Sequence, residues 1–569
     1  MIIQSLLGAV LALVMYAISV SPSLMARSWW WHAATSGVLM AVGYVLGLLV
    51  EKAGAAVIAW IGLSLTVAPW AGEWTPRAVV VVFLVWFIRS VIVSARDTRR
   101  AAALVEMPAE SWRAYLLGVI GALAIMYLLL GLLAGVIWIL RELVALFMRW
   151  VPGPVAWLLA GALVAALVVL ATSRLLVGGV VSFFSRHALK MDRRTARGIY
   201  QPAQPERSGS PDSLSSWESV GGQGRVFLGR GPRLADIEAV TGRPAQEPIR
   251  VYAGMPHGHQ TMADRAQLVV EELRRTGAFD RSVLLVTTST GSGWVDEWQV
   301  QPVEYLAGGD CATASMQYSY VPSSINVITG LEPSLEASRV LFQAVRDALD
   351  ALPPEHPRPA LYVCGESLGA YASQQVFAGI DEVLREVSGA LWVGTPSFTD
   401  LHRDLTAARH RGSPEVAPVV GNARHVRFAN LPENLTADVY GRELGPWDFP
   451  RVVYAQHPSD PVVWWSTDIV WHQPDWLREK AGHDVSRRME FTRGATFIQV
   501  LADLPVAGTA PAGHGHTYHE ELVPLWEGVL GIHESSRPSA LPSGEWVDDD
   551  MRARIGQAIS ANIALSDRQ

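Results

Sequence analysis

The chain has 569 residues, a formal net charge of −7, 50% hydrophobic residues and only 17% charged ones. That length exceeds one ordinary domain, and the mean hydropathy of +0.21 calls for a membrane-embedded part. The net acidity argues against nucleic acid as a partner, since phosphate binding needs clustered cations, and two cysteines, Cys311 and Cys364, give neither metal spacing nor a disulfide framework.

The charge is unevenly divided. Residues 1–200 carry 16 Lys and Arg against 7 Asp and Glu, whereas the rest carry 30 against 46. A basic membrane part followed by an acidic soluble part is the simplest reading. Crossing a bilayer takes about 20 apolar residues, and the sequence predicts six spans, at about 3–21, 33–50, 53–70, 78–95, 115–138 and 155–173. The third is short and contains glycine. The first lacks the basic start of a cleaved signal.

Arg96, Arg99, Arg100 and Arg113 crowd the connection after the fourth span, and Arg186, Lys190, Arg193, Arg194 and Arg197 follow the last. Two spans separate the clusters, so both are expected on the cytoplasmic side, with Arg27, Arg77, Arg141 and Arg149 opposite. This places a multi-pass protein in the cell membrane with its soluble part in the cytoplasm. Arg89 lies near the basic end of its span, where it snorkels. The three tryptophans of "SPSLMARSWWWH" suit the interface belt.

The expected organisation is a transmembrane helical domain over 1–197, a Pro-, Ser- and Gly-rich linker over 198–222, and a soluble domain over 223–569. In the soluble part, strand-like runs "PIRVYAG" (248–254), "SVLLVTTST" (282–290), "ALYVCGES" (360–367), "ALWVGTP" (390–396), "RVVYAQHPSD" (451–460) and "TFIQVLAD" (496–503) alternate with helical patterns. Short apolar runs separated by helices indicate an α/β fold with a mostly parallel, doubly wound sheet. "GGDCATASMQYSY" (308–320) is too polar for core and is expected at the rim of a pocket. The Trp-rich "WWSTDIVWHQPDW" suggests a lid or a membrane-facing surface.

"VCGESLG" holds Gly365-Glu366-Ser367-Leu368-Gly369 at the junction of a buried-type strand and a helix. In that setting G-x-S-x-G presents a serine nucleophile on a tight turn, with the helix N-terminus favouring developing negative charge. Such a serine needs a base and an orienting acid, in chain order Ser, Asp or Glu, His. Asp460 lies just beyond a strand end and is preferred over Asp400 and Asp404. The loop "GHGHTYHE" offers His514, His516 and His519, of which His516 is chosen and His514 is the runner-up. His457 is read as structural. The oxyanion hole is expected from the backbone N–H of Leu368 and from Gly254 or Met255 after "PIRVYA", with "TGSGW" (290–294) a weaker source of donors.

The stretches "SPSL", "TGSGWVD", "GGDCATASMQYSY", "CGESLGAYAS", "GTPSF", "RFANLPENL", "HPSDPVVWW" and "GHGHTY" together resemble a family of bacterial membrane-linked α/β-hydrolases, with a multi-span N-terminal region and a C-terminal hydrolase domain. The resemblance covers nearly the whole chain and implies the α/β-hydrolase fold and a hydrolytic reaction class without a substrate. One departure is "SLMAR", where a proline before the arginine is more typical.

The resulting expectation is a membrane-anchored serine hydrolase that cleaves an ester or related acyl bond of an apolar or lipid substrate through an acyl-enzyme on Ser367. No metal or diffusible cofactor is implied. An acyltransferase would use the same triad. A transport or signalling protein with a hydrolase-fold module is the reading from another class.

Overall fold

The computed structural model describes residues 5–62, 69–255, 260–541 and 544–567. The chain forms two compact units, one of residues 1–180 with 467–511, the other of residues 181–466 with 512–569.

The first unit is helical: α1 (Leu6–Ser19), α2 (Trp29–Ile61), α3 (Pro69–Leu104), α4 (Trp112–Phe147) and α5 (Gly153–Leu170). Helix α2 packs on α1 and α4, and α5 on α4. Small residues let α1 and α2 approach closely, as is usual between apolar helices. A Cβ at Gly43 would stand 2.5 Å from the carbonyl oxygen of Leu11, and one at Gly47 2.5 Å from that of Leu7.

Among the described residues four helices are long and apolar enough to cross a membrane: Trp29–Ile61, Arg77–Leu104, Trp112–Phe147 and Gly153–Arg174. This corrects the expectation of six. The first expected span is a helix of 14 residues, too short to cross. The second runs on through Glu51 and Lys52 into the start of the third, because one 33-residue helix covers both. The remainder of the third includes residues 63–68, which lie outside the described residues.

The segment 467–511 completes this unit. "TFIQVLAD" is not a strand but most of the helix Ala495–Asp503, in which Ala495, Thr496, Gln499, Val500 and Asp503 are buried, a helical repeat rather than an alternation. Asp503, fully buried, accepts bonds from the Ser23 hydroxyl, the Leu24 N–H at 3.1 Å and Arg27 Nε at 2.7 Å. Arg27 Nη2 also donates to the Gln499 carbonyl at 2.6 Å, and Trp31 Nε1 to that of Ala502 at 2.6 Å. The "SPSLMAR" turn is thus a receptor for one buried carboxylate. Ser94 of α3 donates to the Val20 carbonyl at 2.8 Å. The turn and its Arg27 therefore lie at the C-terminal end of α3, not at the opposite end with Arg77.

The second unit opens with α6 (Gly178–Asp192), most of which it contains. It holds a seven-stranded sheet: β1 (Ile249–Ala253), β2 (Val283–Thr288), β3 (Cys311–Met316), β4 (Ala360–Glu366), β5 (Gly389–Val393), β6 (Val426–Ala429) and β7 (Arg451–Ala455). The order is β1-β3-β2-β4-β5-β7-β6, and every pairing is parallel. Every residue of these strands is buried, as a sheet covered by helices on both faces requires. This is the doubly wound α/β architecture expected.

"CATASM" is a core strand rather than a pocket rim. Its small residues fit between β1 and β2 under helices on both sides, and packing there outweighs their polarity. Residues 198–222 are tied down. Arg207, fully buried, donates to the carbonyls of Leu228 and Pro232, and Ser208 N–H donates to the Arg250 carbonyl at 3.0 Å, along the edge of β1. Covering an edge strand in this way removes a site for unwanted pairing.

Candidate active site

Strand β4 is flanked by β2 and β5 and ends at Glu366. Ser367 follows with φ 55° and ψ −120°, and the helix Leu368–Gln374 begins at the next residue. A non-glycine residue in that region is strained, and strain of this kind persists only where the surroundings enforce it. Here the Ser367 N–H donates to the Val393 carbonyl at 2.9 Å, and its carbonyl accepts from Tyr371 at 3.0 Å. The flanking glycines are required by space. A Cβ on Gly365 would lie 2.4 Å from the carbonyl carbon of Gly369, and one on Gly369 2.4 Å from the Thr288 oxygen.

Asp460 stands beyond the end of β7, fully buried. Its Oδ1 caps the short helix Pro461–Trp464 by accepting from Val462 N–H at 2.9 Å. Its Oδ2 accepts from His516 Nδ1 at 2.6 Å and from the Tyr518 hydroxyl at 2.8 Å. Both acceptor atoms are thereby committed, and with Nδ1–H donating to Asp460 the imidazole is held in the tautomer that leaves Nε2 unprotonated.

The loop carrying His516 is fastened on both sides. Gly515 N–H donates to Ser459 Oγ at 2.8 Å, and the Gly515 carbonyl meets His457 Nδ1 at 2.9 Å. His457 itself stacks on Tyr518 at 4.0 Å and reaches Glu521 through Nε2 at 3.1 Å. These contacts tie His457 to the loop that carries His516. Of the three loop histidines, His516 meets Asp460. His514 turns the loop through its carbonyl, which accepts from Thr517 N–H, and the half-buried His519 stacks on Trp298 at 5.1 Å. Asp400 pairs with Arg403 on the surface and Asp404 is exposed, so neither competes with Asp460.

The serine and the His516–Asp460 pair are joined through β5. Val393 accepts the Ser367 N–H, and the next residue, Gly394, packs directly against the pair. A Cβ on Gly394 would stand 2.4 Å from His516 Cε1 and 3.2 Å from Asp460 Oδ2. His516 Nε2 is buried without a hydrogen-bond partner among the described residues, and Glu366, the neighbour of Ser367, places Oε1 3.9 Å from it.

The expected oxyanion donors divide. Leu368 is the first residue of its helix, so its N–H lies outside the intrahelical ladder and at the serine's side. Gly254 and Met255 are misplaced. They follow β1, which is three strands from β4, about 14 Å at the usual strand spacing. The Met255 N–H also already donates to Gln317 Oε1 at 2.9 Å. The strand beside β4 is β2, and its last residue, Thr288, touches the elbow at Gly369. Local sequence could not reveal that order, because strand adjacency is a long-range property.

Sequence reasoning also missed Tyr518, Ser459 and Gly394. Tyr518 carried a signal, standing two residues after the histidine. The other two are recognisable only once the sheet is assembled. Both cysteines are buried, and burial pushes the Cys364 thiol up to about 12.

A sequence model described as "Alpha/beta-hydrolase family" matches residues 249–540, and one described as "Alpha/beta-hydrolase family N-terminus" matches residues 20–232. No curated protein and no solved structure matches the chain significantly.

Proposed function

The chain belongs to this alpha/beta-hydrolase family, and from that premise we propose that it is a membrane-anchored serine hydrolase acting on an ester or related acyl bond. The observation that carries the reading is the strained Ser367 beside a His516–Asp460 pair 2.6 Å apart. His516 Nε2 takes the proton of Ser367 as Oγ attacks the acyl carbon, and Asp460 holds the imidazolium that forms. The tetrahedral oxyanion is met by Leu368 N–H and by a backbone donor after β2, Ser289 foremost. As the tetrahedral intermediate collapses, the bond to the leaving alcohol breaks and His516 passes the serine proton to that alcohol. The neutral His516 then deprotonates a water that releases the acyl group from Ser367.

Four helices able to span a membrane support a substrate drawn from or presented at the bilayer, an apolar ester or a lipid. Helix alternation supports a cytoplasmic placement. The start of α2, the end of α3, the start of α4 and the end of α5 share one side, and the Arg96–Arg113 and Arg186–Arg197 clusters follow on that side.

The test is fluorophosphonate labelling of the full chain in membranes, comparing wild type with Ser367→Ala. Labelling of wild type alone is expected, and equal labelling of both removes Ser367 as nucleophile. Product analysis with added alcohol or amine acceptors separates hydrolysis from acyl transfer. A membrane-impermeant probe on intact cells is expected to leave the protein unlabelled.

A further inference from the structure

Beside the nucleophile lies a pair of acids that the triad does not use. Glu366 fills the second position of the G-x-S-x-G turn and is only 8% exposed. Its Oε1 is 3.9 Å from His516 Nε2, the atom that must receive the serine proton. Asp296 interacts with Glu366, and it caps the helix Glu297–Leu306 by accepting from Trp298 N–H at 3.2 Å. Asp296 Oδ2 and both amide atoms of the neighbouring Gln299 are buried, and the Gln299 side chain interacts with Glu366 as well.

Two buried acids side by side do not both ionise. Burial first, and then the Asp296 charge, drives Glu366 well above the usual carboxylate range, and burial pushes Asp296 up to about 7. The other charged groups facing this pair come from three directions. Glu297, on the helix that Asp296 caps, is occupied by Arg250 at 2.9 Å. Asp460, after β7, is occupied by His516. From the 515–521 segment come His516 itself, Tyr518 and Glu521, the last paired with His457. The surroundings are acidic, and no free cation among these groups neutralises a second charge on the pair.

We propose that Glu366 and Asp296 hold one proton between them, and that the neutral Glu366 is a positioning residue that keeps His516 available as a base. The proton balance is simple: the pair carries one negative charge, not two. Were Glu366 ionised, carboxylates would face the imidazole from both nitrogens. They would hold a proton on Nε2 before Ser367 could deliver its own. An opposite charge at that range shifts a titration by roughly one to three units.

This inference rests on the serine-hydrolase reading, and the experiment separates the two. It is the pH dependence of the fluorophosphonate labelling rate of the full chain in membranes, for wild type, Asp296→Asn, Glu366→Gln and the double variant. Absence of wild-type labelling would count against the hydrolase reading whatever the acids do.

Given wild-type labelling, Asp296→Asn removes the charge that adds to burial in keeping Glu366 protonated, so the ionised fraction of Glu366 rises and the acid limb of the profile should move up. Glu366→Gln mimics the neutral acid and should label at pH 7 within about tenfold of wild type. The double variant should return the acid limb to the wild-type position, a rescue that a merely structural role would not produce. The proposal is overturned if the Asp296→Asn limb coincides with that of wild type, or if the double variant keeps the Asp296→Asn limb. If Asp296→Asn does not fold, Glu366→Gln decides alone, since a loss greater than tenfold in folded protein overturns it.

Discussion

Asp460 Oδ2 and His516 Nδ1 meet at 2.6 Å across 56 residues of chain. Much of the chain between them, residues 467–511, folds with the N-terminal helices rather than with the sheet. The two residues of the pair are therefore connected through a segment whose own packing partners are α1, α3 and the "SPSLMAR" turn.

Asp460→Asn keeps the shape of the side chain but offers Nδ1 a donor in place of an acceptor. The imidazole then loses its tautomer, and the labelling rate and kcat/KM should fall by about 10⁴. Thermal unfolding of the same variant, measured alongside, should change far less than the rate.

Gly394→Ala places a methyl group 2.4 Å from His516 Cε1 at a position with φ +54°. The backbone strain costs about 1–2 kcal/mol. Displacement of the imidazole by a fraction of an ångström should cost labelling about 10²-fold. Comparison of melting temperature with labelling rate checks that the site suffers more than the fold.

Tyr518→Phe removes a hydroxyl that accepts from His457 N–H at 3.0 Å and donates to Asp460 at 2.8 Å. The buried His457 N–H loses this bond, at a cost of about 1 kcal/mol in denaturant unfolding. Asp460 keeps its bond to His516, so the labelling rate should fall by about tenfold, well short of the Asp460→Asn loss.

Arg27→Ala leaves the Asp503 carboxylate buried without its cation. Loss of one partner of a buried pair costs about 3–5 kcal/mol. The segment 467–511 should become sensitive to protease at concentrations that spare wild type. Arg27→Lys should recover only part of this, because lysine cannot reproduce the donors that reach Asp503 and the Gln499 carbonyl together.

His402 is buried with Nε2 bonded to Gln456 Oε1 at 2.8 Å, and burial pushes its titration down to about 4. The folded state thus binds this proton more weakly than the unfolded chain, whose histidine titrates near 6.5. The native state is favoured in full above pH 6.5, and the advantage is lost as pH falls toward 4, by about 3 kcal/mol. Denaturant unfolding across that range should show the slope, and His402→Gln should flatten it.

The G-x-S-x-G turn was legible in the sequence because its physics is local. Gly365 and Gly369 are demanded by contacts within a few residues and by the adjacent strand end, so the pattern and its strand–helix setting coincide. Asp460 and His516 followed from chain order and strand ends, and the apolar helices from length and composition.

Only the tertiary structure decided the rest. "CATASM" is core because β1 and β2 enclose it, although its own residues are small and partly polar. "TFIQVLAD" is a helix because its buried face is set by what Asp503 and Gln499 bind. The strand beside β4 is β2 rather than β1 because parallel pairing between distant segments sets the order of the sheet. Glu366 reads in sequence as a filler between glycine and serine. It became a participant only when folding placed it 3.9 Å from His516, since burial and a neighbouring charge belong to the assembled site and not to the residue.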